Sequence, residues 1–125
     1  MDLSSIVKTD ELFELDLLHP ATDESLGVVF LIRSHESAEV QRVQRTHADK
    51  MLASGGKKLT TGKMKAQYLD QAAASIASWD WGDHEIGGEQ PEYSQKKAVE
   101  ILDTHAWIYD QVAGASENRA NFIKT

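Results

Sequence analysis

Apolar and polar side chains fall first into a two-residue rhythm. Phe13-Glu-Leu-Asp-Leu alternates apolar with acidic, which is how a strand with one buried face reads, and it directs Phe13, Leu15 and Leu17 to a core. His19-Pro-Ala-Thr-Asp-Glu-Ser comes next. Turn formers dominate it, and Pro20 has no N–H to give to a ladder. Gly27-Val-Val-Phe-Leu-Ile-Arg is β-branched and aromatic and reads as a second strand. Two strands joined by a turn predict an antiparallel hairpin over about residues 12–33. A lone hairpin is barely stable in water, so it must pack on the helical segments downstream.

From residue 34 the period changes to that of a helix. Ser34 or Ser37 can cap a first helix whose stripe is Val40, Val43, His47 and Met51. Ser54-Gly-Gly-Lys-Lys stops it. Thr60 or Thr61 caps a second helix. Met64, Tyr68, Ala72, Ile76 and Trp79 recur there at helical spacing, widened by Leu69 and Ala73, so the helix is predicted over about residues 61–79. Residues 80–93 are polar, hold three glycines and Pro91, and read as an irregular loop. Ser94 caps a short helix over 95–103, with Ala98, Ile101 and Leu102 inward. A break at Thr104-His105, or a continuation, leads into a last helix over 106–123, with Ile108, Val112, Ala115 and Phe122 on one side. No internal repeat or low-complexity tract is present. The chain thus predicts a single α+β domain over residues 1–125: an N-terminal antiparallel β-hairpin at about 12–33, followed by three to four helices at about 37–123.

Composition narrows the function. The chain has 125 residues, 13 Lys+Arg and 20 Asp+Glu, for a net charge of −7. That balance argues against sequence-independent nucleic-acid binding, which needs cations for phosphates, and against an anionic membrane surface. The absence of cysteine excludes disulfide frameworks, zinc thiolate sites and Cys nucleophiles, and favours an intracellular setting. The first residues carry no apolar core of a signal peptide, and the longest apolar runs fall far short of the ~20 residues of a membrane span.

Catalytic motifs do not emerge. Asp80, Asp83, His84, Glu85 and Glu89 form an acidic loop, but a calcium loop started at Asp83 puts Gly87 at its fifth position and Ser94 where a bidentate Glu belongs. None of the five histidines falls in a zinc motif; His47 reads as a hydrogen-bonded boundary residue and His19 as part of the turn. Ser25, Ser54 and Ser116 lack a Gly-x-Ser-x-Gly context, and Gly55-Gly56-Lys57-Lys58 lacks the spacing of a phosphate loop. No catalytic, cofactor-binding or metal residue is assigned, and the chain is not expected to be an enzyme. The aromatic residues say more. Trp79 completes the second helical stripe. Trp81 is either a surface anchor or a lid folded over the helix end. Trp107 and Tyr109 sit at the start of the last helix, with Trp107 off its apolar stripe. Trp81, Trp107 and Tyr109 are therefore the candidate partner-binding residues.

The order of landmarks carries a resemblance over about residues 12–123. A strand runs into Asp16-Leu-Leu-His-Pro-Ala-Thr and a second begins Leu26-Gly-Val. Arg42-Val-Gln-Arg lies in the first helix. Trp79 is followed by a Gly/Glu loop, Pro91-Glu-Tyr-Ser and Val99-Glu-Ile-Leu, and the close is Trp107-Ile-Tyr-Asp-Gln-Val with Asn118-Arg-Ala-Asn-Phe. Together these resemble the tail assembly chaperones of long-tailed bacteriophages and prophages. The resemblance implies a small acidic protein of the host bacterial cytoplasm that coats the helical tape measure protein, keeps it soluble and recruits the major tail (tube) protein. It implies absence from the mature virion and, in many cases, a longer form made by ribosomal frameshifting, for which an end after Asn-Phe-Ile-Lys-Thr suits the short form. Homo-oligomers are compatible with it. No cofactor, nucleic acid or membrane is implied.

Physical chemistry accommodates that role. A tape measure exposes apolar stripes before assembly, and a chaperone needs a groove for amphipathic helices. The faces at residues 64–79 and 108–122 can supply one, although any helical core needs the same stripes. A net charge of −7 keeps a coated complex soluble. The alternative is a structural head–tail connector or minor tail subunit of a phage particle. A small enzyme or metal-dependent regulator using residues 80–89 ranks last.

Overall fold

In the computed structural model, residues 3–53, 55 and 60–123 are described. Of the predicted Ser54-Gly-Gly-Lys-Lys helix stop, only Gly55 falls among them. The elements run β1 (Leu12–Leu18), β2 (Ser25–Arg33), α1 (Ala38–Ala53), α2 (Thr61–Ala74), β3 (Ile76–Asp80), α3 (Gln95–Thr104) and α4 (Ala106–Glu117), with short 3-10 turns at Leu3–Ser5 and Arg119–Phe122. Among the described residues no helix is long and apolar enough to cross a membrane.

The hairpin forms as its alternation dictates. β1 and β2 pair antiparallel, with Phe13 opposite Ile32 and Leu15 opposite Phe30. Leu17, Val28, Phe30 and Ile32 are fully buried, so one face of the ribbon belongs to the core. His19 organises the turn: its Nδ1 accepts from the N–H groups of Ala21 and Thr22, at 3.1 and 3.3 Å. The helix starts also agree with the sequence. Thr60 Oγ1 accepts from Lys63 N–H at 3.2 Å, and Ser94 Oγ from Lys97 N–H at 3.0 Å. At α1, Ser37 Oγ accepts from Val40 N–H at 3.5 Å.

Two boundaries need correction. The second helix does not reach Trp79. It ends at Ala74, where Ser75 turns its Oγ back to the Ala72 carbonyl at 2.6 Å. Residues Ile76–Asp80 then form β3, which pairs antiparallel with β2 and completes a sheet of order β1-β2-β3. The physical reason is a bulge. Ile76 stands opposite Ile32 and Ser78 opposite Leu31, which leaves Ala77 as an extra residue. Ile76 and Trp79 thereby reach the same sheet face three residues apart, a spacing that imitates a helix. The last helix is also shorter than predicted. α4 ends at Glu117, and Asn118 Oδ1 accepts from Ala120 N–H at 3.1 Å to start the 3-10 turn at Arg119–Phe122.

Helices α2 and α4 pack on the sheet, and α1 packs on α2. α4 is tied to both hairpin strands. Gln111 donates from Nε2 to the Leu18 carbonyl and accepts from its N–H, both at 2.9 Å, and Ser116 Oγ donates to the Arg33 carbonyl at 2.8 Å. Phe122 is buried beside Phe13, with ring centres 6.4 Å apart.

Gly82 holds the exit from β3. Its φ is +60°, and a Cβ there would lie 2.6 Å from the Gly27 carbonyl oxygen. Gly82→Ala is therefore expected to cost about 2 kcal/mol or more, read as a lower midpoint in chemical denaturation. A change within experimental error would show that this turn can open without consequence.

Candidate functional site

The predicted stripe of α2 divides in two. Leu69, Ala72, Ala73 and Ala74 are buried, but Met64 is 40% exposed and Tyr68 52% exposed. The small Ala72 and Ala73 allow close contact with the core, and the larger residues one and two turns earlier project past it. Between α2, α3 and α4 lies an open groove of about 410 Å³. Met64, Tyr68 and Leu69 form one wall, Leu102 the floor, and Ala106 and Tyr109 the other wall.

The groove is apolar, with one ion pair at its rim. Lys65 Nζ on α2 stands 3.0 Å from Asp103 Oδ1 on α3, and both side chains are more than half exposed. Such a pair contributes less than ~1 kcal/mol and yields readily to an incoming chain. Burial pushes the Tyr109 hydroxyl above its usual range, and the negative groups Glu117 and Asp110 raise it further, followed by Tyr68. The Tyr109 hydroxyl is therefore held in its neutral form at physiological pH. A groove with such walls can take up apolar side chains.

The candidate partner-binding residues separate. Tyr109 lines the groove. Trp107 is half-buried and packs against the core. Trp81 is corrected: it is 6% exposed and no surface anchor. Its ring centre lies 5.4 Å from that of Phe30 and 5.5 Å from that of Trp79, and Trp79 in turn meets Tyr93 at 5.2 Å. Trp79 and Trp81 share the inner face because they are two apart along an extended chain. Met64 and Tyr68 belong to the 64–79 face that the sequence offers either as a groove or as core, and they are the part of it that lines the groove. Exposure of part of an amphipathic stripe has no local signature, because it depends on how far the neighbouring helices reach.

Several other polar groups serve the structure. His47 Nε2 pairs with Asp70 Oδ2 at 2.9 Å and joins α1 to α2, as a boundary histidine should. In the acidic loop, Asp80 Oδ1 accepts from Gly82 N–H at 2.9 Å and Glu89 meets Lys97 Nζ at 2.8 Å. Among the described residues no group of three or more acidic or histidine side chains is placed to hold a metal ion. The Tyr93 hydroxyl donates to the Ala73 carbonyl at 3.3 Å. Burial raises its pKa, partly opposed by the nearby Arg33. A raised folded-state pKa means that this stabilising contribution is complete below the tyrosine pKa of the unfolded chain, about 10, and is lost as pH rises through the folded value. Thermal stability is thus expected to fall above pH ~10, and Tyr93→Phe should flatten that fall; an equal slope in both proteins would contradict the assignment.

Comparison with protein-family models, with curated proteins and with solved structures finds no match to this chain.

Proposed function

We propose that this chain is a phage tail assembly chaperone that seats an apolar helical stretch of the tape measure protein in the α2–α3–α4 groove, keeps that protein soluble and helps recruit the tail tube protein. The observation that carries this reading is the open apolar groove, with Met64 and Tyr68 exposed on its wall. An amphipathic helix inserts side chains from positions three and four apart into a groove of this kind. The net charge of −7 supports the same reading, because mutual repulsion keeps coated complexes apart. The resemblance in the order of sequence landmarks is what favours the tape measure protein as the partner. On this reading the protein acts transiently in the host cytoplasm and leaves before the virion is complete, and recruitment of the tube protein belongs to a longer frameshifted form.

The test is co-expression with the long helical protein encoded beside this chain in its phage or prophage. The expected result is a partner that is insoluble alone and co-purifies in soluble form with this protein. No association, together with recovery of this chain from intact particles, would overturn the reading in favour of a connector or minor tail subunit.

A further inference from the structure

The outer face of the sheet has a pattern of its own. Strand register places Glu14, Leu31 and Ser78 in one row across the three strands, and Asp16, Val29 and Asp80 in the next. Val29 and Leu31 alternate with the buried Val28, Phe30 and Ile32, so they point away from the core and do not join it. Both are half-buried and lie outside the core cluster. The centre strand therefore carries two half-buried apolar side chains on its outer face. Carboxylates line it on both sides: Glu14 and Asp16 on β1, Asp80 on β3, all three exposed. Among the described residues none of the three forms an ion pair. Asp16 Oδ1 accepts from the Ser25 hydroxyl at 2.8 Å, and Asp80 Oδ1 from the Gly82 N–H. At the end of the same face Leu12 is 48% exposed, opposite Arg33, whose guanidinium donates to the Ala74 and Ile76 carbonyls and faces Glu39 at 3.9 Å.

Dimensions and charge select the occupant. Three strands at a spacing of about 4.8 Å span about 10 Å, the width of one helix with its side chains. The geometry points to this face as a docking surface for a cationic amphipathic helix of a partner protein. The helix lays an apolar stripe along Val29 and Leu31 and places Lys or Arg on each flank against Glu14, Asp16 and Asp80. A helix with acidic flanks is rejected by like charge. The sheet face is distinct from the groove, and its failure leaves the groove reading intact.

The test uses a synthetic helix of about 18 residues, long enough to be helical when bound, with leucine on one face and lysine on both flanks, titrated into the full-length protein and followed by amide chemical shifts. A second peptide keeps the leucine face and carries glutamate flanks. The expected result is saturable shifts at Glu14, Asp16, Val29, Leu31 and Asp80 with the lysine peptide, weakened by salt, and none with the glutamate peptide. The triple variant Glu14→Gln, Asp16→Asn, Asp80→Asn retains the hydrogen-bond acceptors, and should bind about tenfold more weakly. Leu31→Thr should also weaken binding without loss of fold. Equal binding of both peptides, shifts centred on Met64 and Tyr109 instead, or no shifts at all would overturn the proposal. So would a dimer of this chain whose interface is Val29 and Leu31.

Discussion

Trp81→Ala is expected to lower the unfolding free energy by ~3–5 kcal/mol, the largest stability loss among the substitutions considered. The indole is nearly fully buried, in contact with Phe30 and Trp79, and its removal leaves a cavity beneath the end of β3. The indole nitrogen makes the expectation sharper. Trp81 Nε1 is the buried side-chain nitrogen without a hydrogen-bond partner among the described residues. An unmet buried donor costs about 1–3 kcal/mol, so Trp81→Phe gives up ring volume but also removes that penalty. The phenylalanine variant should therefore lose ~1 kcal/mol or less, far below the alanine variant. Chemical denaturation of the two variants beside the parent checks the order. Equal losses would mean that the indole N–H is satisfied in solution, and a small loss for alanine would place Trp81 at the surface.

The groove should behave in the opposite way. Met64→Asp combined with Tyr68→Asp places two charges on its α2 wall. Both residues are exposed, so the fold should lose no more than about 1 kcal/mol. Recovery of soluble partner in co-expression should fall at least about tenfold, because apolar side chains would have to enter beside unpaired carboxylates. Undiminished recovery by a folded variant would remove the groove from the interface. Together the two experiments separate residues that hold the fold from residues that serve it: Trp81 should register in stability, Met64 and Tyr68 in partner recovery.

The hairpin is legible because period-two alternation in Phe13–Leu17 has one physical meaning when one face is buried. The caps at Thr60 and Ser94 are legible because a hydroxyl just before a helical stripe satisfies free N–H groups wherever it occurs. β3 is hidden. Met64, Tyr68, Ala72 and Ile76 recur every four residues, and the bulge at Ala77 sets Trp79 three beyond Ile76, so the helical period runs on past the true helix end. The signal that exposes the strand is short: Ser78 and Asp80 alternate with Trp79 and Trp81. The same alternation explains why Trp81 reads as a candidate anchor when a helix is assumed. On a helix, residues two apart diverge, whereas on an extended chain they point together. Tyr109 is identifiable as a site candidate, whereas the face holding Met64 and Tyr68 reads equally as groove or core, because periodicity marks an apolar face without telling whether a neighbouring helix covers it.

On the proposed reading, the groove between α2, α3 and α4 seats a helical segment of a long assembly partner. The most direct measurement is site-specific photo-crosslinking from a reactive amino acid placed at position 64 in the co-expressed complex. The predicted product joins this chain to the long helical protein, through residues spaced three and four apart on one apolar stripe of the partner. Crosslinks only between copies of this chain, or capture of the partner from position 29 but not from position 64, would contradict it.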